Sequence, residues 1–362
     1  MKIVIIGGHF SPALSVIEKL KDEDILYIGR KHALEGDSAL SLEFETLNSL
    51  GVNFAQVNTG RLQRKPTFYT IPSLAKMPVG FWQSYRLLRR FKPSVVVGFG
   101  GYLSVPVVFA AYLLNIPVVL HEQTLEAGFA NKILARFAKR ICISWESSYN
   151  FFPGEKTVLT GNPLRKEILE EIKYSPVKNK NPLIYITGGS LGSHRINALI
   201  EKNIEKILSF ASVIHQTGDA RKFNDYERLL KLKNELGDSF KSNYQLFKFL
   251  KPHMFGKIIR ESDLVIARSG INTVCEIIYL KRPALFVPLS FTQRNEQKKN
   301  ALMAKDLGIA EVFDEDKSPE EFLEMIKKMI NNLDSYKSNN PSLIDGDAAE
   351  KVIKVIKETA KQ

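Results

Sequence analysis

Short apolar runs alternate with segments of helical periodicity along the chain, and this alternation predicts repeated strand–helix units. Strands are predicted at residues 2–6, 25–29, 94–97, 117–120, 140–144, 156–160, 183–187, 263–267 and 284–289. Helices are predicted at residues 13–21, 38–50, 105–114, 127–138, 196–208, 271–278 and 348–359. Because strands that alternate with helices pair in parallel, the pattern indicates the α/β class.

A polar stretch with two prolines, residues 173–182, interrupts the alternation. The strand–helix pattern restarts after it, so we expect two doubly wound, Rossmann-like domains that face each other across a cleft. A chain of 362 residues is long enough for two such domains, each with its own core. The last predicted helix, residues 348–359, could pack on either domain.

Residues 94–120 carry no charged side chain, and a segment of that length could cross a bilayer. Glycines and prolines interrupt it, which favours a strand, a glycine loop, a helix and a second strand instead. The apolar fraction of 44% and the charged fraction of 25% are ordinary for a soluble globular protein. Cys142 and Cys275 each lie beside a predicted core element, which favours a reducing cytoplasm over a disulfide framework.

The net charge of +12 is unevenly distributed, since no Asp or Glu occurs between Glu45 and Glu122. This stretch mixes basic and aromatic residues, which suits an anionic membrane surface. A solvated basic face is the general alternative, and nucleic acid is a third, although no nucleic-acid-binding motif is recognisable. The missing carboxylates and the adjacent aromatic pair favour the membrane. The predicted membrane contacts are Phe81, Trp82, Arg86, Arg89 and Arg90.

Three glycine-rich turns, residues 7–9, 98–101 and 188–192, follow predicted strands. At the carboxyl edge of a sheet such turns let a ligand approach the backbone closely. None matches the dinucleotide fingerprint or the phosphate loop with its lysine, which argues against NAD and against a P-loop nucleotide site. One such turn is more often a tight connection, but three of them in two half-chains favour ligand binding.

Residues 263–297 carry the most specific chemistry. A predicted strand, the small-residue turn at 268–270 and a helix would aim free backbone N–H groups at an anion. Residues 271–273 are therefore candidates for a diphosphate and Glu276 for a ribose diol. The alternatives are a simple helix start and a carboxylate favoured by the helix dipole, worth about 0.3–1 kcal/mol. Asn295 and Gln297 could bind sugar hydroxyls or could be polar helix-start residues.

His9 directly follows the first glycine pair, at a position suited to a general base with a pKa near neutrality. The alternative is a helix-start histidine that forms only local hydrogen bonds. The polar run 121–124 ends another predicted strand, and buried polar groups there need partners. No metal is expected, because the six histidines are scattered and no carboxylate pair has ligand spacing.

Several motifs recur together in one order along nearly the whole chain. They are Gly-Gly-His (7–9), Gly-Phe-Gly-Gly-Tyr (98–102), His-Glu-Gln (121–123), Gly-Asn-Pro-Leu-Arg (161–165), Gly-Gly-Ser-Leu-Gly-Ser (188–193), Arg-Ser-Gly-Ile-Asn-Thr-Val-Cys-Glu (268–276) and Asn-Glu-Gln-Lys-Lys-Asn-Ala (295–301). On this set the chain resembles the MurG family of N-acetylglucosaminyltransferases in peptidoglycan synthesis. The 268–276 motif is the most specific member of the set, whereas a glycine loop alone is weak.

The resemblance implies a GT-B fold whose last helix returns to the N-terminal domain. Residues 1–162 with 345–362 would bind acceptor and membrane, and residues 163–344 would bind UDP-GlcNAc. The implied reaction is inverting transfer of GlcNAc to the 4-hydroxyl of the muramoyl sugar in lipid I (undecaprenyl-pyrophosphoryl-MurNAc-pentapeptide), giving lipid II, without metal or cofactor. The enzyme would be peripheral, on the cytoplasmic face of the cell membrane, with other cell-wall synthesis proteins as candidate partners and no nucleic acid.

The resemblance also implies roles for individual residues, with His9 as the catalytic base. The implied UDP-GlcNAc-binding residues are Gly8, Thr124, Arg165, Ser190, Leu250, Ile271, Asn272, Thr273, Val274, Cys275, Glu276, Asn295 and Gln297. The implied acceptor-binding residues are Gly100, Gly101, Tyr102, His121, Glu122, Gln123 and Asn131.

The chain departs from the family in its shorter first glycine loop, in Thr124, which replaces an asparagine, and in Arg294 and Glu296. These departures bear on sugar or acceptor preference. The alternative function is a GT-B UDP-sugar transferase that acts on another lipid acceptor, such as diacylglycerol. An inactive membrane-associated scaffold is a second alternative, and the short first loop is its only support.

Overall fold

The computed structural model describes residues 1–32, 40–60, 76–175, 177, 179–189, 191–219, 223–290, 295–340 and 342–361. Ser190, the start of the helix predicted at 38–50 and part of the basic stretch lie outside these residues. The chain divides into two compact units: Met1–Arg165 with Gly346–Gln362 (unit 1), and Lys166–Asp345 (unit 2). The sequence-based boundaries lie after residues 162 and 344.

Unit 1 is built on a parallel sheet with strand order β3-β2-β1-β4-β5-β6-β7 in its described residues. The strands are β1 Lys2–Ile6, β2 Asp24–Gly29, β3 Asn53–Gln56, β4 Val95–Gly98, β5 Val118–Glu122, β6 Arg140–Ile143 and β7 Thr157–Leu159. The helices before the unit boundary are α1 Phe10–Lys19, α2 Leu42–Ser49, α3 Met77–Phe91, α4 Ser104–Leu113 and α5 Phe129–Leu134.

Unit 2 is a second parallel sheet, with order β10-β9-β8-β11-β12-β13 in its described residues. Its strands are β8 Leu183–Thr187, β9 Ser212–Gln216, β10 Tyr244–Phe247, β11 Leu264–Ala267, β12 Ala284–Phe286 and β13 Ala310–Val312. Its helices are α6 Lys166–Glu171, α7 His194–Leu208, α8 Asp225–Glu235, α9 Asp238–Asn243, α10 Phe255–Glu261, α11 Ile271–Tyr279, α12 Glu296–Asp306 and α13 Pro319–Asn331.

The last helix, α14 (Ala348–Thr359), belongs to unit 1 and packs on α1. Successive residues of a strand point to opposite faces, so Ile3 and Ile5 of β1 join the core beneath α1 and α14, whereas Val4 and Ile6 join the core beneath α4. Because helices cover both faces of the sheet, the side chains on both faces of its central strands are mostly apolar. Burial of each large α14 side chain, such as that of Ile356, contributes about 1.5–3 kcal/mol.

The uncharged segment 94–120 forms β4, α4 and β5, as the glycine and proline pattern predicts. In the part of the chain that the structure describes, no helix combines the length and the apolarity that a bilayer span requires. The predicted fold class, α/β with two doubly wound parallel sheets, is confirmed. In each sheet the strand order reverses at one point, between β1 and β4 and between β8 and β11. Ligands bind at the carboxyl ends of such strands.

Candidate active site

Two glycine turns of unit 1 touch each other, because β1 and β4 are neighbours in the sheet. We call them the N-terminal loop pair (residues 7–9 and 98–101). The His9 backbone N–H donates to the Phe99 carbonyl oxygen at 3.1 Å. A Cβ added to Gly8 would lie 2.2 Å from the Gly100 carbonyl oxygen. Any larger residue at position 8 would therefore displace the second turn.

Side chains from three parts of unit 1 surround Gly100, which has a φ of +77°. A Cβ built there would lie 3.6 Å from His9 Cδ2, 3.7 Å from Gln123 Nε2 and 3.8 Å from Asn131 Nδ2. The structure thus brings the predicted catalytic residue together with predicted acceptor-binding residues. Gln123 and Asn131 are buried, and both N–H groups of Asn131 are donated within unit 1, to the His121 carbonyl oxygen at 3.1 Å and to Glu122 Oε2 at 3.0 Å. The half-buried His9 ring and the glycine backbone are therefore the groups that a ligand rich in oxygen atoms could contact here.

His9 is half-buried, and its ionisation is shifted. Burial, and to a lesser extent His121, lowers the pKa of His9 from 6.5 to about 4. The sequence predicts a pKa near neutrality, and the lower value arises because burial disfavours the charged ring. At neutral pH the imidazole is uncharged and has a lone pair available to accept a proton.

His121 lies behind the N-terminal loop pair and is fully buried. Its Nε2 lies 3.2 Å from the Gly161 carbonyl oxygen, so that nitrogen carries the proton. Its ring packs on Phe99 with centroids 5.3 Å apart, and burial lowers the pKa of His121 to about 4. These contacts join the turn after β4 to the Gly-Asn-Pro-Leu-Arg segment, a connection that sequence spacing does not predict.

Glu122 is the centre of a buried hydrogen-bond cluster. Its Oε2 accepts from the Gly128 backbone N–H at 2.8 Å and from Asn131 Nδ2 at 3.0 Å, and its Oε1 accepts from the Thr124 backbone N–H at 3.1 Å. Asn131 Oδ1 is buried and has no hydrogen-bond partner within the described part of the chain. Thr124, assigned to the UDP-GlcNAc set by resemblance, is buried in this acceptor-side cluster.

Unit 2 contains a cavity of about 1010 Å³ at the carboxyl ends of β8 and β11, which we call the unit 2 cavity. It is lined by Thr187, Gly188, Gly189, Leu191, Gly192, Ser193, His194, Arg195, Phe223, Ala267, Arg268, Gly270, Thr273, Leu289, Gln297, Glu315 and Asp316. The glycine turn 188–192 and the start of α11 therefore share one site, as their position after buried strands predicts.

The start of α11 is open to this cavity. The helix begins at Ile271 after Gly270, and the side chains of Asn272 and Thr273 are half-buried. The side chains of Ile271, Val274, Cys275 and Glu276 are buried. A ligand there would meet the Thr273 hydroxyl and the backbone N–H groups of the first helical turn. The helix itself supplies no acceptor for these N–H groups.

Gln297 lies in α12 and fixes the loop beside the cavity. Its Oε1 accepts from the Leu289 backbone N–H at 3.1 Å. Its carbonyl oxygen accepts from the Ser269 hydroxyl at 2.8 Å, which connects this helix to the 268–270 turn. Asn295 precedes α12 and is exposed, with a φ of +55°. Leu250 is buried, and its backbone N–H donates to Gln216 Oε1 at 3.3 Å.

Glu315 is a cavity residue that sequence reasoning missed. Its Oε2 pairs with Arg268 NH1 at 2.6 Å, and its Oε1 accepts from the backbone N–H and the hydroxyl of Ser290 at 2.9 and 2.8 Å. The backbone and hydroxyl of Ser290, together with Arg268, lower the pKa of Glu315. Nothing in the sequence around residue 315 signals this role, because its partners lie 47 and 25 positions away.

The structure places three further predicted residues in unit 1. Tyr102 is half-buried in the turn before α4, Gly101 has a φ of +78°, and Arg165 is the last residue of unit 1 before the boundary. No group of three or more His, Cys, Asp or Glu side chains could hold a metal ion within the described ranges. Transfer without a metal or cofactor stays a prediction.

Low pH should reduce the free energy of unfolding, because the protein contains buried histidines. His215 is buried, with Nδ1 3.0 Å from the Tyr244 hydroxyl and Nε2 3.0 Å from Asn197 Oδ1, and burial lowers its pKa to about 3. The unfolded chain binds a proton near pH 6.5 and the folded one does not, so stability falls as pH drops from about 6.5 towards 3. Each pH unit in this window costs about 1.4 kcal/mol per histidine.

The variant His215→Gln keeps hydrogen-bonding capacity without the titration. Between pH 7 and pH 5, we expect the unfolding free energy of the parent to fall by about 2 kcal/mol more than that of the variant. Urea unfolding at the two pH values measures this difference. A variant with the same pH dependence as the parent would show that His215 is not responsible.

Comparison with known proteins identifies the family. Residues 6–143 match the glycosyltransferase family 28 N-terminal domain, and residues 183–358 match the glycosyltransferase family 28 C-terminal domain. The chain belongs to glycosyltransferase family 28. It is therefore a glycosyltransferase, and the predicted resemblance to the MurG family is confirmed by the relatives that follow.

Two curated members of the family are named UDP-N-acetylglucosamine--N-acetylmuramyl-(pentapeptide) pyrophosphoryl-undecaprenol N-acetylglucosamine transferase. The protein of Clostridium botulinum (strain Hall) is 32% identical over 361 residues, covering 94% of this chain and 96% of its own length. That of Clostridium kluyveri is 31% identical over 368 residues, covering 98% of each chain. Both similarities extend across the two units.

Solved structures agree with the family assignment. The crystal structure of Acinetobacter baumannii MurG has a TM-score of 0.73 with 25% identity and covers 99% of both chains. A UDP-GlcNAc 2-epimerase from Neisseria meningitidis, solved with UDP-GlcNAc bound, has a TM-score of 0.69 with 16% identity, covering 99% of this chain and 100% of its own. The second similarity shows the fold alone.

Proposed function

We propose that this enzyme transfers GlcNAc from UDP-GlcNAc to the N-acetylmuramyl-pentapeptide of pyrophosphoryl-undecaprenol, the step that converts lipid I to lipid II in peptidoglycan synthesis. Two full-length relatives at 31–32% identity that are named for this transfer carry the proposal. The arrangement of His9, Gln123 and Asn131 around Gly100 and the unit 2 cavity support it. The relatives do not favour transfer to diacylglycerol.

The chemistry follows from the side chains of unit 1. His9, uncharged at neutral pH, accepts the proton of the acceptor 4-hydroxyl while that oxygen attacks the anomeric carbon of GlcNAc. The bond from this carbon to the UDP oxygen breaks on the opposite face, so the configuration inverts. Bound acceptor diphosphate would stabilise the imidazolium that forms, which raises the pKa of His9 in the complex.

The donor half of the reaction is assigned to unit 2. The backbone N–H groups at the start of α11, with Thr273, would hold the UDP diphosphate and spread its charge as it leaves. Glu276, Leu250 and Gln297 remain the predicted contacts to ribose, uracil and sugar. The Gln297 amide oxygen orders the loop through the Leu289 N–H, which leaves its amide nitrogen, without a hydrogen-bond partner among the described residues, available to the ligand.

The direct test is incubation of the purified protein with UDP-GlcNAc and a lipid I analogue, with UDP release as the readout. UDP-GalNAc and diacylglycerol serve as the alternative donor and acceptor. We expect release only with UDP-GlcNAc and the lipid I analogue together. Equal release with diacylglycerol would replace the proposed acceptor, and no release with any pair would support an inactive scaffold.

A surface on α3 and α4 supports membrane attachment at the cytoplasmic face. Trp82 is 55% exposed and Tyr112 and Leu113 are each 52% exposed. The rings of Phe81 and Phe109 join the two helices, with centroids 5.6 Å apart. Exposed basic residues lie on the same helix as Trp82, namely Arg86, Arg89 and Arg90. Aromatic side chains beside arginines suit the interface of an anionic bilayer.

Neutralising this surface should weaken vesicle binding. Each arginine near an anionic bilayer contributes about 1 kcal/mol, so the double variant Arg89→Gln/Arg90→Gln should bind phosphatidylserine vesicles about 30-fold more weakly. Cosedimentation at low and high salt measures the partition. The control variant Lys202→Gln/Lys231→Gln removes two exposed charges from unit 2. An equal effect of both pairs would indicate nonspecific attraction, and tight binding to DNA would revive the nucleic-acid alternative.

A further inference from the structure

The Thr124 hydroxyl lies within hydrogen-bonding distance of two acceptor oxygens but has only one proton to donate. Thr124 Oγ1 lies 2.6 Å from Glu122 Oε1 and also 2.6 Å from the Glu126 carbonyl oxygen. Both distances are those of short O–H···O hydrogen bonds, and a hydroxyl has one proton to donate. If Glu122 were ionised, one of the two contacts would join two oxygens with no proton between them.

A second proton on one of the three oxygens accounts for both short contacts. The backbone carbonyl of Glu126 has none, and the Thr124 hydroxyl has only its own. A proton on Glu122 Oε1 completes the chain: Glu122 donates to Thr124 Oγ1, and Thr124 donates to the Glu126 carbonyl. The other contacts of Glu122 remain satisfied, because Oε1 still accepts from the Thr124 N–H and Oε2 still accepts from Gly128 and Asn131.

We propose that Glu122 is a neutral carboxylic acid at neutral pH and acts as a positioning residue that holds the 122–131 segment against the N-terminal loop pair. Its proton is shared with Thr124. Asn131, which donates to Glu122 at 3.0 Å, is the link to Gly100. The effect on catalysis rests on the proposed function, whereas the protonation state does not.

The surroundings of Glu122 agree with a neutral acid. The residue is 1% exposed, and burial raises the pKa of its carboxyl group, an effect that the hydrogen bonds from Thr124, Gly128 and Asn131 oppose. The nearby titratable groups offer little compensating charge. His121 has a pKa lowered to about 4, Cys142 on β6 has one raised to about 12, and the Lys132 ammonium lies 4.0 Å from the centroid of the Phe151 ring.

A neutral Glu122 side chain would not repel the negatively charged acceptor. Lipid I carries a diphosphate, and a carboxylate next to the loop pair would repel it. A carboxylic acid keeps the donor and acceptor pattern that fixes Asn131 and adds no negative charge. The chain has threonine where the family uses asparagine. At this position a hydroxyl can accept from Glu122 and donate to Glu126 with the same atom, whereas an amide nitrogen can only donate.

The protonation state is tested by infrared difference spectroscopy on the whole protein at neutral pH without substrate. Subtracting the spectrum of Glu122→Gln from that of the parent should leave the C=O stretch of a protonated carboxyl group, which lies apart from the ionised carboxylate bands. In Thr124→Val this band should move to higher frequency, because the carboxyl proton loses its acceptor. Carboxylate bands in place of the carboxyl band would overturn the proposal.

The positioning role is tested by steady-state kinetics with the lipid I analogue. Glutamine can donate to the Thr124 hydroxyl and accept from Gly128 and Asn131, and it loses only the acceptor for the Thr124 backbone N–H, whereas alanine loses all four contacts. Glu122→Gln should therefore keep at least tenfold more kcat/KM for the acceptor than Glu122→Ala. Equal losses in the two folded variants would overturn the positioning role. Because the infrared test uses no substrate, failure of the proposed reaction and failure of this inference are distinguishable.

Discussion

Replacement of His9 by alanine should lower kcat by about 10²–10⁴, the range that general-base catalysis supplies. His9 is the histidine beside Gly100 whose ring is uncharged at neutral pH, so it is the candidate acceptor for the hydroxyl proton. Glutamine fills similar space and forms hydrogen bonds but is not a base. His9→Gln should therefore lose as much activity as His9→Ala, with little change in the KM for UDP-GlcNAc.

The pH profile separates a base from a binding group. In the free enzyme the pKa of His9 is lowered to about 4, so the base form persists well below pH 6.5. We expect the acid limb of kcat/KM, which reports the free enzyme, to lie below that of kcat, which reports the complex. Bound acceptor diphosphate causes the difference by favouring the imidazolium. A loss under threefold in folded His9→Ala would remove His9 from this role.

Burial explains which strands the sequence predicts. Central strands such as β1 and β11 are covered on both faces and read as continuous apolar runs. Three of the four edge strands in the described sheets, β3, β10 and β13, are partly exposed, lack such runs and were missed. The fourth, β7, is also partly exposed but was predicted. β9 is central, yet its buried His215 and Gln216 obscure the pattern. Those polar groups are tolerated because Tyr244, Asn197 and Leu250 satisfy them.

The sequence likewise predicts some features of the candidate site and misses others. The positions of His9, Gly100 and the start of α11 follow from turns at the carboxyl ends of adjacent strands, which strand order fixes. The contacts of Glu122 and Glu315 do not, because they depend on how segments distant in sequence pack. The pKa of His9 was misjudged for the same reason: a pattern gives the residue and its edge of the sheet, but not how much water reaches the ring.

Both units contain two turns in such close contact that a Cβ added to the contacting glycine would overlap backbone atoms of the other turn. In unit 1, Gly8 meets the Gly100 carbonyl. In unit 2, a Cβ on Gly192 would lie 2.1 Å from the Thr217 carbonyl oxygen, and a Cβ on Gly218 would lie 2.2 Å from the Gly192 nitrogen. The contact in unit 2 sets the position of the 188–192 turn and hence the shape of one wall of the cavity.

Gly192→Ala should therefore lower kcat/KM for UDP-GlcNAc by about 10², because a shift of about 1 Å in a ligand-positioning loop has effects of that size. The methyl group overlaps backbone and not a flexible side chain, so the turn itself must move. The φ of +77° adds about 1–2 kcal/mol of strain for any residue with a Cβ. Initial-rate measurements over a range of donor concentrations give the value.

Gly189→Ala is the matched control, since Gly189 lies in the same turn with a φ of +83° but has nothing within 4 Å of the added Cβ. It carries the same backbone strain of about 1–2 kcal/mol without the overlap, so it should lose no more than about 5- to 30-fold. The ratio of the two effects isolates the contact with Thr217. Equal losses would show that strain alone matters, and full activity in folded Gly192→Ala would mean that this turn does not shape the donor site.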